Sequence, residues 1–260
     1  MHYALIGGTG VEHIALTEQR AITVETPYGT VEPIIGKLGN REIVFMSRHG
    51  RDHAVPPHLV NYRSNIWALR KLGVRKILAT AAVGSLSSNF RLGELVLLDQ
   101  FLDFTKSRPG TFYEGGQQGV LHADMTEPYC SAVRQVIMDT SEHIGFALKN
   151  GACYVCTEGP RFETPAEIRM FQRLGADLVG MTSVPEVVLA RELGMCYASI
   201  GMITNEAAGI ATHPLSHAEV MESMKELGVK VAQLIQATLE RWTPGQNCLC
   251  ASANGEVGKF

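Results

Sequence analysis

Between residues 154 and 208, three β-branched or aromatic runs each break into a turn rich in Gly, Pro and short polar residues, and two of these turns lead into helical patterns. The turns centre on Glu158-Gly-Pro-Arg-Phe162, Met181-Thr-Ser-Val-Pro-Glu186 and Thr204-Asn205-Glu206. A chain that repeats strand, turn and helix in this way can build one sheet with helices on its faces. The turns then gather beyond the carboxyl ends of the strands, where open α/β sheets bind ligands.

The same alternation runs through the rest of the chain without an internal repeat. Apolar runs at 3–7, 42–46, 76–85 and 94–99 read as strands. Helical periodicity covers 61–73, 129–144, 166–174, 187–193 and 215–242, the first ending in basic residues and Gly73. The fold class this predicts is α/β, a single domain with a mixed, mostly parallel central sheet flanked by helices. The domain is expected to span 1–242, with 243–260 as a C-terminal tail. The polar, glycine-rich connection at 104–125 is long enough to be a lid, a binding loop or a subunit contact.

Composition narrows the partners. With 260 residues, 45% of them hydrophobic and 19% charged, the chain can bury a large core. A net charge of −3 leaves no basic footprint for nucleic acid or an anionic membrane, so the expected partner is a small ligand. No apolar run reaches membrane-spanning length, and residues 1–7 lack a signal-peptide pattern, so the expected location is cytoplasmic.

Six cysteines in a chain of this length do not make a disulfide framework. Cys153 and Cys156 would point to opposite faces of a strand, which argues against a metal pair. Cys248 and Cys250 lie in a polar tail where nothing in the sequence buries them, and read equally as a local disulfide or as free thiols. His53 and His58 have no carboxylate at a ligand spacing, so no metal site is expected.

Two motifs point to an oxyanion. Gly7-Gly8-Thr9-Gly10 follows the first strand and exposes amide donors, but lacks the spacing of a dinucleotide fingerprint, so it fits a phosphate or sulfate cradle better. Arg48 and His49 close the second strand, where the planar Arg48 fork suits two oxygens of one anion; the alternative is a solvated basic loop. The small residues Ala81 and Ala82 in the 76–85 strand read as a pocket wall or as tight packing.

Taken together, Gly7–Gly10, Ser47-Arg-His-Gly50, Asn61-Tyr62 with Trp67-Ala68-Leu69, Glu158–Phe162, Met181–Glu186 and Thr204-Asn205 resemble the trimeric purine nucleoside phosphorylase and methylthioadenosine phosphorylase family, in family order and over all but the tail. The resemblance implies attack of inorganic phosphate on C1 of a purine nucleoside, releasing base and ribose 1-phosphate without cofactor or metal. It implies a phosphate site of Thr9, Arg48, His49, the backbone and small side chains at Ala81 and Ala82, and Thr182, with Met181 against the ribose, Phe162 against the base and Glu206 and Ala207 in the substrate-binding turn. His122 matches a position that in relatives reaches into the neighbouring subunit's site, and the assembly implied is a homotrimer or a hexamer of two trimers. Relatives often carry threonine where Ala81 stands, so a hydroxyl contact to phosphate is expected to be missing.

Substrate choice is expected to rest on three residues. A 6-oxopurine offers an N1 hydrogen and an O6 acceptor, which suit a carboxylate at Glu163 and an amide at Asn205. Those two, with His49, are the expected catalytic residues. Adenine-specific relatives place a small residue at the first position and aspartates in the second turn, and this sequence has neither. His217 matches the position that binds the ribose 5′-hydroxyl in nucleoside-specific relatives, with His213 as its competitor in a loop of variable length. The reading is phosphorolysis of inosine and guanosine; methylthioinosine or methylthioadenosine phosphorolysis is the alternative, followed by a non-catalytic nucleoside binder and a hydrolase.

Overall fold

The long apolar run 76–85 lies at the centre of the sheet because both of its faces are apolar enough to be covered. The computed structural model describes residues 2–8, 11, 14, 16–50, 54–211, 214–242 and 248–253, with the side chain of His217 excepted. Among these, the strands are β1 (Tyr3–Gly7), β2 (Thr17–Ala21), β3 (Val24–Thr26), β4 (Gly29–Val31), β5 (Ile34–Leu38), β6 (Arg41–Ser47), β7 (Lys76–Ser85), β8 (Leu95–Leu97), β9 (Gln100–Phe104), β10 (Leu148–Asn150), β11 (Cys153–Thr157), β12 (Leu178–Gly180) and β13 (Cys196–Glu206). The helices are α1 (Tyr62–Lys71), α2 (Ser131–His143), α3 (Pro165–Arg173), α4 (Ser183–Glu192) and α5 (His217–Arg241).

Eleven strands form one sheet in the order β10-β8-β13-β7-β1-β6-β5-β2, with β9, β11 and β12 branching from β7. Parallel pairs join β1 to β6 and β7, β13 to β7, β10 to β8, and β11 to β9 and β12. The pairs β2 with β5, β5 with β6, β8 with β13 and β7 with β12 are antiparallel. The sheet is therefore mixed and mostly parallel, as expected. The antiparallel run of β2 and β5 was not legible in the sequence, because β2 is exposed along its whole length and carries no alternation.

Side chains alternate across β7 and set the two core layers. Ile77, Ala79, Ala81 and Val83 face α1 and α4, packing with Ile66, Leu69, Val187 and Tyr197. Leu78 faces the other way, with Val133 and Ile137 of α2 and Leu227 and Leu234 of α5. Helix starts follow local chemistry: α3 and α5 each open on a capping box, Thr164 with Glu167 and Ser216 with Glu219, and α3 adds Pro165 in its first turn. Among the described residues no helix is long and apolar enough to cross a membrane.

The expectation for the cysteine tail needs correction. Cys250 is buried and packs in the α2–α5 layer, with Cys248 half-buried against it. Just before it, Trp242 caps α5, fully buried, its ring 5.2 Å from that of Tyr3 and under the Lys76 ammonium at 4.8 Å. Its carbonyl accepts from Arg41 at 3.0 Å. Trp242→Ala is expected to cost about 3–5 kcal/mol in urea unfolding. A loss below about 1 kcal/mol, typical of surface substitutions, would contradict this placement.

Candidate active site

Arg48 follows β6 and is held from three sides. Its amide donates to Gly7 O at 2.8 Å, fixing it beside the end of β1. Its Nε and Nη2 donate to the two carboxylate oxygens of Glu186, both at 2.8 Å, and Nη1 donates to Thr80 O at 2.9 Å. Tyr197 Oη donates to the same carboxylate at 2.6 Å. Arg48 and Glu186 are only 3% and 0% exposed, so the guanidinium has one orientation. Burial pulls its pKa down, and the Glu186 carboxylate more than offsets that, leaving it above the ordinary value and always charged. Three of the five guanidinium N–H groups are engaged by protein, leaving one on each terminal nitrogen.

These nitrogens border a cavity of about 350 Å³, lined by Gly8, Arg48, His49, Thr80, Ala82, Met181 and Thr182 at one end and by Phe162, Glu163, Asn205 and Ala207 at the other. That is the size of a small-molecule site. Gly8 is required here: a Cβ would lie 2.9 Å from Arg48 Nη1. His49 Nδ1 is 2.8 Å from Val55 O, so it carries the proton and donates, and the ring has a fixed tautomer. Thr182 precedes α4, its amide donating to Tyr154 Oη at 3.0 Å. Thr80 Oγ1 is buried and finds no hydrogen-bond partner among the described residues.

At the other end Glu163 is 8% exposed and accepts from Thr157 Oγ1 at 2.6 Å. Burial pushes its carboxyl up from the ordinary value, which a further donor in the cavity would counter. The parallel ladder of β7 and β13 shifts register between Ile203 and Asn205, and this bulge brings Asn205 opposite Gly84. A Cβ at Gly84 would be 3.1 Å from Asn205 Nδ2, so the small residue makes room for the amide. Asn205 Oδ1 accepts from Thr204 Oγ1 at 2.9 Å, and Nδ2 donates to Glu206 O at 2.9 Å. Each end of the amide keeps one further hydrogen-bonding position.

Arg108 joins the two walls. One terminal nitrogen donates to Met181 O at 2.7 Å and Val184 O at 2.8 Å, the other to Glu158 O at 2.7 Å and Thr157 O at 3.2 Å. The 104–125 connection, read as a lid or contact, thus contains an internal fastening.

Most sequence-predicted site residues converge: Arg48, His49, Ala82, Phe162, Glu163, Met181, Thr182, Asn205 and Ala207 all line the cavity. Two do not. The Ala81 side chain turns into the α1–α4 core because β7 alternates, while its neighbours Thr80 and Ala82 line the cavity. Glu206 is exposed and offers Asn205 only its carbonyl. His122 lies outside this cavity, in a second one with Asp124, Cys130 and Arg191. Thr9 and His213 lie outside the described residues, as does the His217 side chain. Sequence reasoning missed Glu186, Thr80 and Arg108. Glu186 left one signal, a carboxylate within the otherwise apolar run at 184–190.

Comparison with known proteins gives the family. Residues 2–240 match the model of the Phosphorylase superfamily. A probable 6-oxopurine nucleoside phosphorylase of Moorella thermoacetica is 52% identical, with 99% of each chain covered. A probable S-methyl-5′-thioinosine phosphorylase of Methanopyrus kandleri is 50% identical over 96% of each. Among solved structures, methylthioadenosine phosphorylase from Schistosoma mansoni in complex with adenine superposes with a TM-score of 0.91 at 32% identity, covering 98% of this chain and 96% of the other. On its fold, its cavity and these matches, the chain belongs to the phosphorylase superfamily.

Proposed function

We propose that this enzyme cleaves 6-oxopurine nucleosides by phosphorolysis, with inosine and guanosine as substrates. The observation that carries this reading is a single cavity with a fixed, buried Arg48 at one end and Glu163 with Asn205 at the other. Phosphate would bind between the outward N–H groups of Arg48, His49, Thr182 and the Gly8 turn, with Thr9 as a further ligand. Thr80 Oγ1, buried without a partner among the described residues and on a residue lining the cavity, would supply the hydroxyl that Ala81 lacks. Because Glu186 already balances the Arg48 charge, the site is ready for an anion without burying an unpaired cation.

Glycosidic cleavage builds positive charge on the sugar and negative charge on the departing purine. Phosphate under C1 is both nucleophile and stabiliser of the first, and Asn205 is placed to donate to the base as the second develops. Glu163 would accept from N1–H, a donor that 6-aminopurines lack. No cofactor enters, phosphate being a co-substrate. His122 would complete the site of a neighbouring subunit in a homotrimer or hexamer.

A second reading, 5′-methylthioinosine as substrate, is supported by Leu215 and Val220, which place apolar side chains in the cavity on either side of His217 in sequence. With inosine or guanosine bound, His217 would hold the 5′-hydroxyl.

The test is base release from inosine, guanosine, adenosine, methylthioinosine and methylthioadenosine, with and without phosphate. Inosine and guanosine should react, and only with phosphate; turnover without phosphate would refute phosphorolysis, and preference for adenine compounds would refute the Glu163 and Asn205 roles. Asn205→Asp should lower kcat/KM for inosine by about 100-fold or more, as expected for a mismatched buried polar group, and raise the adenosine-to-inosine ratio. An unchanged ratio would remove Asn205 from base recognition.

Glu186→Gln should act on phosphate specifically. A hydrogen bond to a charged group is worth about 1.5–3 kcal/mol, so misaligning Arg48 should raise the phosphate KM by about ten- to a hundredfold. The nucleoside KM should hold; an equal rise in both would mean that Glu186 supports only the fold.

A further inference from the structure

Away from the nucleoside cavity, four of the six cysteines meet. Cys130 precedes α2, Cys196 opens β13, and Cys248 and Cys250 come from the tail, yet their sulfur atoms all lie within 4.8 Å of one another. Three are buried and Cys248 is half-buried. Cys196 Sγ lies 3.3 Å from Cys248 Sγ, and all four cysteines are free thiols. Four sulfurs around one tetrahedral zinc ion, each about 2.3 Å from the metal, stand about 3.8 Å apart, and the cluster fits that spacing.

The surroundings suit the charge such a centre carries. Four thiolates around a divalent cation have a formal charge of −2. Arg191, 5% exposed, directs Nη1 to Cys250 Sγ at 3.3 Å. Cys130 stands at the amino end of a 13-residue helix, where the positive end of the helix dipole favours a thiolate. Backbone hydrogen bonds fix two of the four cysteines, Cys130 N donating to Tyr197 O and Cys196 N to Arg75 O, both at 2.8 Å.

We propose that Cys130, Cys196, Cys248 and Cys250 form a structural tetrathiolate site for a single zinc ion that fastens the C-terminal segment to the core. Binding replaces four S–H bonds with four Zn–S bonds and releases four protons to solvent; no electron moves, and no oxidant is required. The fastening reaches further than the tail. Asp124 N donates to Ala253 O at 3.0 Å and Arg191 Nε to Asp124 O at 3.0 Å, so the segment after Cys250 holds the loop that carries His122. The site does not depend on the substrate reading, because none of its residues lines the nucleoside cavity.

The experiment is elemental analysis of the full-length protein purified under nitrogen with reductant, followed by dialysis against EDTA. About one zinc per chain should remain. Reduced apo-protein loaded with Co²⁺ should show the sulfur-to-cobalt charge-transfer and intense visible bands of a tetrahedral tetrathiolate. Cys248→Ser, at the half-buried position, should lose most of the zinc, and Cys153→Ser, outside the cluster, should keep it. Three results would each overturn the proposal: substoichiometric zinc with no cobalt spectrum, zinc retained by Cys248→Ser, or an intact mass lower by four hydrogens, which would mean two disulfides instead.

Discussion

The buried pair of Arg48 and Glu186 is the interaction on which the site depends. Two charges this deep are costly to desolvate, and their bidentate geometry, with Tyr197 and Thr80 O completing the shell, offsets that cost. Breaking such a pair by removing one partner typically costs about 3–5 kcal/mol, because the other charge is left buried and unmatched. The pair also joins three elements that lie far apart in the chain: the end of β6, the middle of β7 and the first turn of α4. Folding the core therefore sets the direction of the two guanidinium N–H groups that face the cavity.

Arg108 does for the cavity walls what Glu186 does for the anion end. Its four carbonyl partners lie from the end of β11 into the turn after it and from the turn after β12 into the start of α4; the first turn carries Phe162 and Glu163 and the second Met181 and Thr182. A guanidinium has five donors in a rigid plane, so one side chain can span two turns that share no backbone ladder at that level. The separation of the wall carrying Phe162 and Glu163 from the wall carrying Met181 and Thr182 is thereby set inside one chain.

The parts legible in the sequence were those set by local chemistry. Helices α1, α2, α3 and α5 announced themselves by period and ends, and Phe162, Glu163, Met181, Thr182 and Asn205 by standing in turns after strand-like runs. What the sequence hid depends on tertiary arrangement. Strand alternation turns the Ala81 side chain into the core and leaves Thr80 and Ala82 on the cavity, a distinction that the run of small residues at 79–82 conceals. Glu206 follows the bulge that re-aims Asn205, so neighbouring residues in the chain part company in space. Glu186 resembles any acid in a first helical turn until Arg48, 138 residues away in the chain, is placed beside it. Cys250 lies in a polar segment, and only the fold shows that the segment returns to cover α2 and β13.

The central claim is that the folded chain already holds an oriented anion site before any nucleoside arrives. Calorimetric titration of the nucleoside-free protein with inorganic phosphate tests it most directly. The account predicts one site per chain in the wild type, strongly weakened in Arg48→Met. Absence of phosphate binding until a nucleoside is added, or equal binding by the wild type and Arg48→Met, would contradict it.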